Sequence, residues 1–495
     1  MKGSSLETVL KGIRTVLLGN GSSKGMLVVF EFLLAGVLGA AGFGYYAIAV
    51  SMVQIVSTIC LLGLNFGVVQ YLAKYEETGE YEKKKSAVLF GLLSIAIASG
   101  VMAILVYACA PFLAQHVFSK PEMLNVLKVA APLIFLDAVS QGVSAVFRGL
   151  RQFRISLMAS DFIKNAVSFL FVPVLLYVGA SAQWALAACV LGSLIGLAFG
   201  LWRLRKEGYL SFDRHLDKGV IADIYHFSKM MFLFNLLQVL AVRFFIVVAG
   251  IFLTAEETGT LAAAARLALL FIFFHTAVNV TIHAEFVKLR HRMDFEGTRD
   301  LYQSVTQGLL GVITVPALIL LCSPGFIVHL IWPDHTISGW IIWPLLFANF
   351  LNTVTGPAGQ VMVAHEKHAL LMRLTLMDLA MEFIGVVGLT YAFGIVGAAF
   401  GEAARLLIFV VVRLWVLNAH LSIHPFGRSY VPLSVLSLTS IASGMALSAA
   451  GVNYFIAAGS ALALYVMGAV WIIVRDGRMV EELGVLLHLK LGRGK

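Results

Sequence analysis

What most constrains this chain is a succession of about fourteen apolar segments, each at least 21 residues long, between connections that hold most of its charge. A helix needs about 20 apolar residues to cross a hydrocarbon layer ~30 Å thick, so every segment is long enough to span. They lie at about 13–40, 44–72, 86–112, 122–149, 155–179, 183–204, 223–253, 257–286, 300–322, 338–364, 369–393, 395–419, 430–450 and 454–474. Hydrophobic residues make up 60% of the chain and charged ones 13%, against about a quarter charged in soluble domains. The expected fold class is an all-α polytopic membrane protein. No cleaved signal is expected, because the N-terminus has no compact apolar run followed by a small-residue cleavage site.

A net charge of +9 would point to nucleic acid or acidic partners in a soluble chain, but here its placement matters more than its sum. Alternate connections are basic: Lys2 to Lys24, Lys74 with Lys83–Lys85, Arg148 with Arg151 and Arg154, Arg203 to Lys218, Lys288 to Arg299, Lys367, Arg428 and the tail from Arg475. The other set (AAGFG, YVGASAQ, TAEETGT, CSPGFIVHLIWPDHTISG, YAFGIVG, AAGVN) has no Lys or Arg, and Lys120 is the one exception among these connections. By the positive-inside rule both termini are expected in the cytoplasm, and the even number of spans agrees. Cys60, Cys109, Cys189 and Cys322 lie in apolar runs without CxxC spacing, which argues against a disulfide framework or a zinc site.

The chain repeats itself. PLIF at Pro132–Phe135 returns as PLLF at Pro344–Phe347, 212 residues on, and GYYAIAVSM from Gly44 returns as GTLAAAARL from Gly259, 215 on. A looser match joins WALAACVLGSLIGLAFGLWRL from Trp184 to VGAAFGEAARLLIFVVVRLW from Val396. A unit of six helices is even, so its two copies share one orientation and are related by an axis along the membrane normal. The expected organisation is an N-terminal six-helix lobe (1–204), a cytoplasmic linker (205–222), a C-terminal six-helix lobe (223–420), and helices thirteen and fourteen with a tail (421–495).

Charges inside the spans mark candidate sites. If TAEETGT lies at a membrane surface, Arg243 and Arg266 both fall ~15 Å deep, where insertion scales set the cost of an arginine at roughly 2.5–3.5 kcal/mol. A shared polar cavity would explain both. Glu31 is the lone carboxylate of the first span; that it faces the seventh helix, as a candidate partner for Arg243, is what the family resemblance given below implies. His275, Asn279 and His283 form a polar stripe on the face opposite Arg266, so both faces cannot look squarely into one cavity; as a metal site the stripe lacks an accompanying carboxylate or Cys. Asp161 with Lys164, and Glu402 with Arg405, are spaced i, i+3 and read first as self-neutralising pairs, because a paired charge is cheaper in lipid. Asp378 and Glu382 are like charges on one helix face, so one is a candidate to be protonated or cation-bound. These four acids, Asp161, Asp378, Glu382 and Glu402, are the candidates for proton or sodium coupling. Asp137 reads as a partner for an arginine of RGLRQFR.

In order and spacing, GLNFGVVQYLAKYEETGEYEKKKSAVLFGLL, FSKMMF near 227, EETGTLAAAARLA from Glu256, SPGFIVHLIWP from Ser323, GPAGQVMVAHEKHALLMR from Gly356 and GIVGAAFGEAARL from Gly394 are similar to the polysaccharide transporters, the Wzx-like lipid-linked oligosaccharide flippases of the MOP superfamily. The resemblance covers most of 10–420, with one departure: the family often has an aspartate near where this chain has Arg243. It implies a two-lobed bundle whose first, second, seventh and eighth helices line a cavity opening alternately to each side. It further implies a substrate of undecaprenyl-pyrophosphate-linked oligosaccharide, moved from the cytoplasmic to the periplasmic leaflet of a bacterial inner membrane. Arg243, Arg266, Glu31, His275, Asn279, Lys164 and Arg405 are then the candidate cavity residues, guanidinium suiting a pyrophosphate through bidentate hydrogen bonds.

Three classes compete. A flippase needs no cofactor beyond proton or sodium coupling; its partners are the bilayer, the lipid-linked oligosaccharide, and a candidate polymerase or glycosyltransferase. A cation-coupled multidrug exporter of the same superfamily should have an acidic cavity, whereas Arg243 and Arg266 make this one basic. A membrane polymerase or ligase should carry a large polar external loop, but the connection from Cys322 to Trp340 is mostly apolar, and no nucleotide, zinc or nucleophile motif is present.

Overall fold

The computed structural model describes the backbone of 2–209, 217–322, 326, 329–330 and 339–475. Side chains are described over the same residues except 2–24, 178, 269–270, 272–274, 276–277, 279–281, 284, 339–340, 368 and 473–475. Asn279, most of the connection from Cys322 to Trp340, and 210–216 of the linker therefore lie outside the described residues.

The described chain is helical throughout: α1 (Lys2–Leu61), α2 (Leu64–Thr78), α3 (Tyr81–Phe112), α4 (Met123–Gly149), α5 (Phe153–Leu157), α6 (Ile163–Leu170), α7 (Val172–Val178), α8 (Ala182–Lys206), α9 (Lys218–Phe252), α10 (Ala255–His291), α11 (Phe295–Cys322), α12 (Gly339–Val354), α13 (Ala358–Ala364), α14 (His368–Met381), α15 (Val387–Leu421), α16 (Tyr430–Ala449) and α17 (Tyr454–Arg475). Ten stretches among the described residues are long and apolar enough to cross a membrane. Two of them, Gly25–Leu61 and Ala369–Leu421, are interrupted within their length. Each contains a glycine with non-helical backbone, Gly39 (φ 67°) and Gly394 (φ 59°), that divides it into two spans. With α10 and the α12–α13 pair, the described residues hold fourteen candidate spans, the number of apolar segments in the sequence.

Local sequence explains the starts of the two helices around the TAEETGT hinge. Asp217 caps α9, its Oδ1 accepting from the Gly219 amide at 2.8 Å. Thr254 and Glu257 form a capping box at α10: the Thr254 amide donates to Glu257 Oε2 at 2.9 Å, and the Glu257 amide donates back to Thr254 Oγ1 at 3.2 Å.

The chain forms two compact units. One comprises Ser23–Ala262 with Thr390–Ile395. Its centre is α4, clasped by α2, α3 and α8, with Phe30, Phe43 and Phe147 fully buried. Small residues let these helices approach closely: a Cβ on Gly192 would lie 2.7 Å from the Lys164 carbonyl oxygen, so α8 rests directly on the backbone of α6.

The other unit comprises Ala263–Leu389 and Val396–Lys495, together with the first 22 residues. Here α11 is the post against which α16 and α17 pack. Hydroxyls join them: Thr314 Oγ1 meets Ser437 Oγ at 2.9 Å, Tyr465 donates to the Gly311 carbonyl at 3.1 Å, and Tyr454 donates to that of Ile319 at 2.8 Å. In a medium without water such groups must find partners within the protein.

Candidate functional site: buried ionic networks in each unit

In the first unit α4 carries Asp137 and α6 carries Lys164, whose Nζ lies 2.9 Å from Asp137 Oδ1. Gln141, one turn along α4, donates to Oδ2 at 2.8 Å. The i, i+3 spacing of Asp161 and Lys164 does not produce the expected pair. A π-helical turn at Met158–Phe162 separates α5 from α6 and rotates Asp161 out of α-helical register; its Oδ2 accepts from Ser160 Oγ at 2.8 Å. Asp137 likewise binds Lys164 and Gln141 rather than an arginine of RGLRQFR. Glu31 is 3% exposed and Arg243 half-buried, both in this unit.

In the second unit the expected Glu402–Arg405 pair is present and bidentate: Nε meets Oε2 at 2.7 Å and Nη2 meets Oε1 at 2.6 Å. The remaining amino group of Arg405 donates to Asp378 across from α14. Asp378 is thus engaged by a cation rather than opposed only by Glu382, which begins another π-helical turn (Glu382–Val386) and is fully buried. Arg405 is 4% exposed, so this is an ion cluster inside the lobe.

One buried arginine lies outside the candidates drawn from the sequence. Arg413, 9% exposed on α15, donates to Asn352 Oδ1 at 3.0 Å and Thr355 Oγ1 at 3.1 Å, its guanidinium lying over the Phe409 ring. It closes the break between α12 and α13, where Gly356 takes φ 76° ahead of Pro357. The carbonyls freed there are also met: Tyr302 donates to that of Thr355 at 2.8 Å and Tyr430 to that of Val354 at 3.1 Å. Broken helix at membrane depth is tolerated where protein groups re-satisfy it, and Arg413 is one of those groups. The criterion that singled out Arg243, a cation within an apolar run, would have found it.

Arg266 is buried on α10 at 7% exposure, in the same unit as His275. The cavity candidates thus divide: Arg266, His275 and Arg405 belong to the second unit, while Glu31, Arg243 and Lys164 belong to the first.

A family model described as "Polysaccharide biosynthesis protein" matches residues 9–282, more than half of the chain. The chain belongs to the polysaccharide biosynthesis protein family. This family member is 23% identical over 394 residues to the "Probable low-salt glycan biosynthesis flippase Agl15" of Haloferax volcanii, covering 78% of each chain. It is 22% identical over 192 residues to the stage V sporulation protein B of Bacillus subtilis, covering 38% of this chain and 37% of that one. Among solved structures, the fold matches the lipid II flippase MurJ in an inward closed conformation with TM-score 0.71 at 13% identity, over 93% of this chain and 98% of that one. It also matches an inward-facing multidrug MATE transporter of the MOP superfamily with TM-score 0.64 at 15% identity, over 80% and 94%. The fold is therefore shared with these transporters, and the family member is a multi-pass membrane protein.

Proposed function

We propose that this protein is a flippase that carries a lipid-linked oligosaccharide, its sugars joined to a polyprenyl pyrophosphate, from the cytoplasmic to the external leaflet of a bacterial inner membrane. The observation that carries the reading is the family match, strengthened by a relative named as a glycan flippase that covers 78% of the chain. The placement of Lys and Arg supports an orientation with both termini in the cytoplasm.

On this reading the six-helix repeats rock about the substrate, and the pyrophosphate is met by arginine. Arg266 is the first choice: it is a buried guanidinium in a span, and guanidinium suits a pyrophosphate through bidentate hydrogen bonds. Arg243 is the second. Arg405 and Lys164 are lesser choices, since carboxylates of their own lobes already take them up. Among the acids raised for proton or sodium coupling, Asp378 and Glu402 bind Arg405, and Asp161 accepts from Ser160. Glu382, fully buried beside this cluster, is a further candidate for coupling. A cation-coupled drug exporter is the second reading, favoured by the MATE likeness alone. Flipping of a labelled polyprenyl-pyrophosphate oligosaccharide in proteoliposomes, with imposed proton or sodium gradients, tests the assignment.

A further inference from the structure

Lys120 is the one basic residue in the charge-poor set of connections, and the structure gives it an unusual task. Its Nζ donates to the carbonyl of Gly250 at 2.6 Å and to that of Phe118 at 3.1 Å. Gly250 lies in the last turn of α9, where unpaired carbonyls and the helix dipole favour a cation. Burial, opposed by nearby Glu257, pushes the Lys120 ammonium below its ordinary pKa. The connection between α3 and α4, in the first repeat, is thereby pinned to α9, which the sequence assigns to the second.

A second contact lies on the same side. A Cβ on Gly44 would fall 1.9 Å from the carbonyl oxygen of Ala255, and a Cβ on Gly259 would fall 1.9 Å from that of Ala40. The two contacts are rotational copies of each other: Ala40 and Ala255, like Gly44 and Gly259, are 215 residues apart, the offset of the repeat. α1 and α10 thus cross backbone to backbone at equivalent positions, on the symmetry axis that the duplication implies. Next to the crossing, Ile48 is fully buried and packs where a Cβ of Gly250 would stand, its Cγ1 2.7 Å away. All these residues belong to one compact unit.

We propose that Lys120 and the Gly44–Gly259 crossing form an external latch, which holds the α1 and α9–α10 ends of the two repeats together and is undone for the substrate to leave. The inference rests on the alternating-access reading above, but not on the identity of the cargo. At the crossing itself glycine lies against backbone, so the two helices can part there as surfaces. The single cation on helical carbonyls supplies the polar hold that glycine backbones lack.

The test uses the full chain in inverted and right-side-out vesicles, with Cys60, Cys109, Cys189 and Cys322 replaced and Ile48→Cys as reporter. Labelling by a membrane-impermeant maleimide from the external side is timed in parallel with flipping. Lys120→Met should raise the labelling rate about tenfold, the shift in a closed-to-open ratio that loss of one charged hydrogen bond produces. Lys120→Arg should label as the parent does, and Gly44→Val, which wedges the crossing, should label as fast as Lys120→Met. A folded Lys120→Met protein that labels at the parent rate overturns the latch, even where flipping is normal. Failure of the parent to flip overturns the flippase reading and leaves the labelling result to decide the latch.

Discussion

Lys164 bonds Asp137 on the neighbouring helix, 2.9 Å away, and not Asp161, three residues before it on its own segment. The pair is largely withdrawn from solvent, with side-chain exposures of 25% and 13%. Removing one partner of such a pair leaves an uncompensated charge, whereas removing both together often costs little.

Lys164→Met should therefore lower stability by about 3 kcal/mol, at the low end for a buried pair because the ammonium keeps some exposure. The double variant Asp137→Asn/Lys164→Met should recover most of the loss, and Asp161→Asn should change stability by no more than about 0.5 kcal/mol. Thermal unfolding in detergent measures these three and Asp137→Asn alone; equal losses for Asp137→Asn and Asp161→Asn would show that the pairing is wrong.

The break between α12 and α13 should depend on its donors. Arg413→Leu is expected to cost about 2–3 kcal/mol and Tyr302→Phe about 1–2 kcal/mol, since each strands an acceptor at 352–355 away from water. Gly356→Ala should cost as much again, roughly 1–3 kcal/mol for the left-handed backbone, and its Cβ would also meet Thr306 Oγ1 at 2.2 Å. Hydrogen exchange localises the effect: protection lost across 352–357 supports the account, and loss confined to the far end of α15 does not.

Acid should weaken the connection between α13 and α14. His365 is 7% exposed there, and burial, with Arg290 and Lys367 nearby, holds its pKa below the ordinary histidine value. The folded state therefore resists the proton that the unfolded chain accepts near pH 6.5, so stability is full above that pH and falls as pH drops through it. Replacement by Phe, beside Phe295, should flatten the stability profile between about pH 6.5 and 5. An unchanged slope would remove His365 from the explanation.

How far these features could be read from residues alone varies with their range. Span number and helical class follow from apolar length, since lipid permits few other ways to satisfy a backbone. Glu402–Arg405 is legible because both residues lie on one regular helix, α15. Lys164–Asp137 is not, because a π-helical turn alters the register within the span and the true partner sits 27 residues back. Arg413 is legible as a cation within an apolar run, but its partners are not: Asn352 and Thr355 are neutral, distant in sequence, and gathered by a helix break that has no charge pattern of its own.

The most direct measurement is flipping of a fluorescent undecaprenyl-pyrophosphate oligosaccharide by the full chain in proteoliposomes, compared with folded Arg266→Ala and Arg243→Ala. The account expects transport by the parent and at least about a tenfold loss in Arg266→Ala, the equivalent of one charged contact. A parent that leaves the lipid in place but drives gradient-dependent efflux of a small organic cation would contradict it, and would make the protein an exporter.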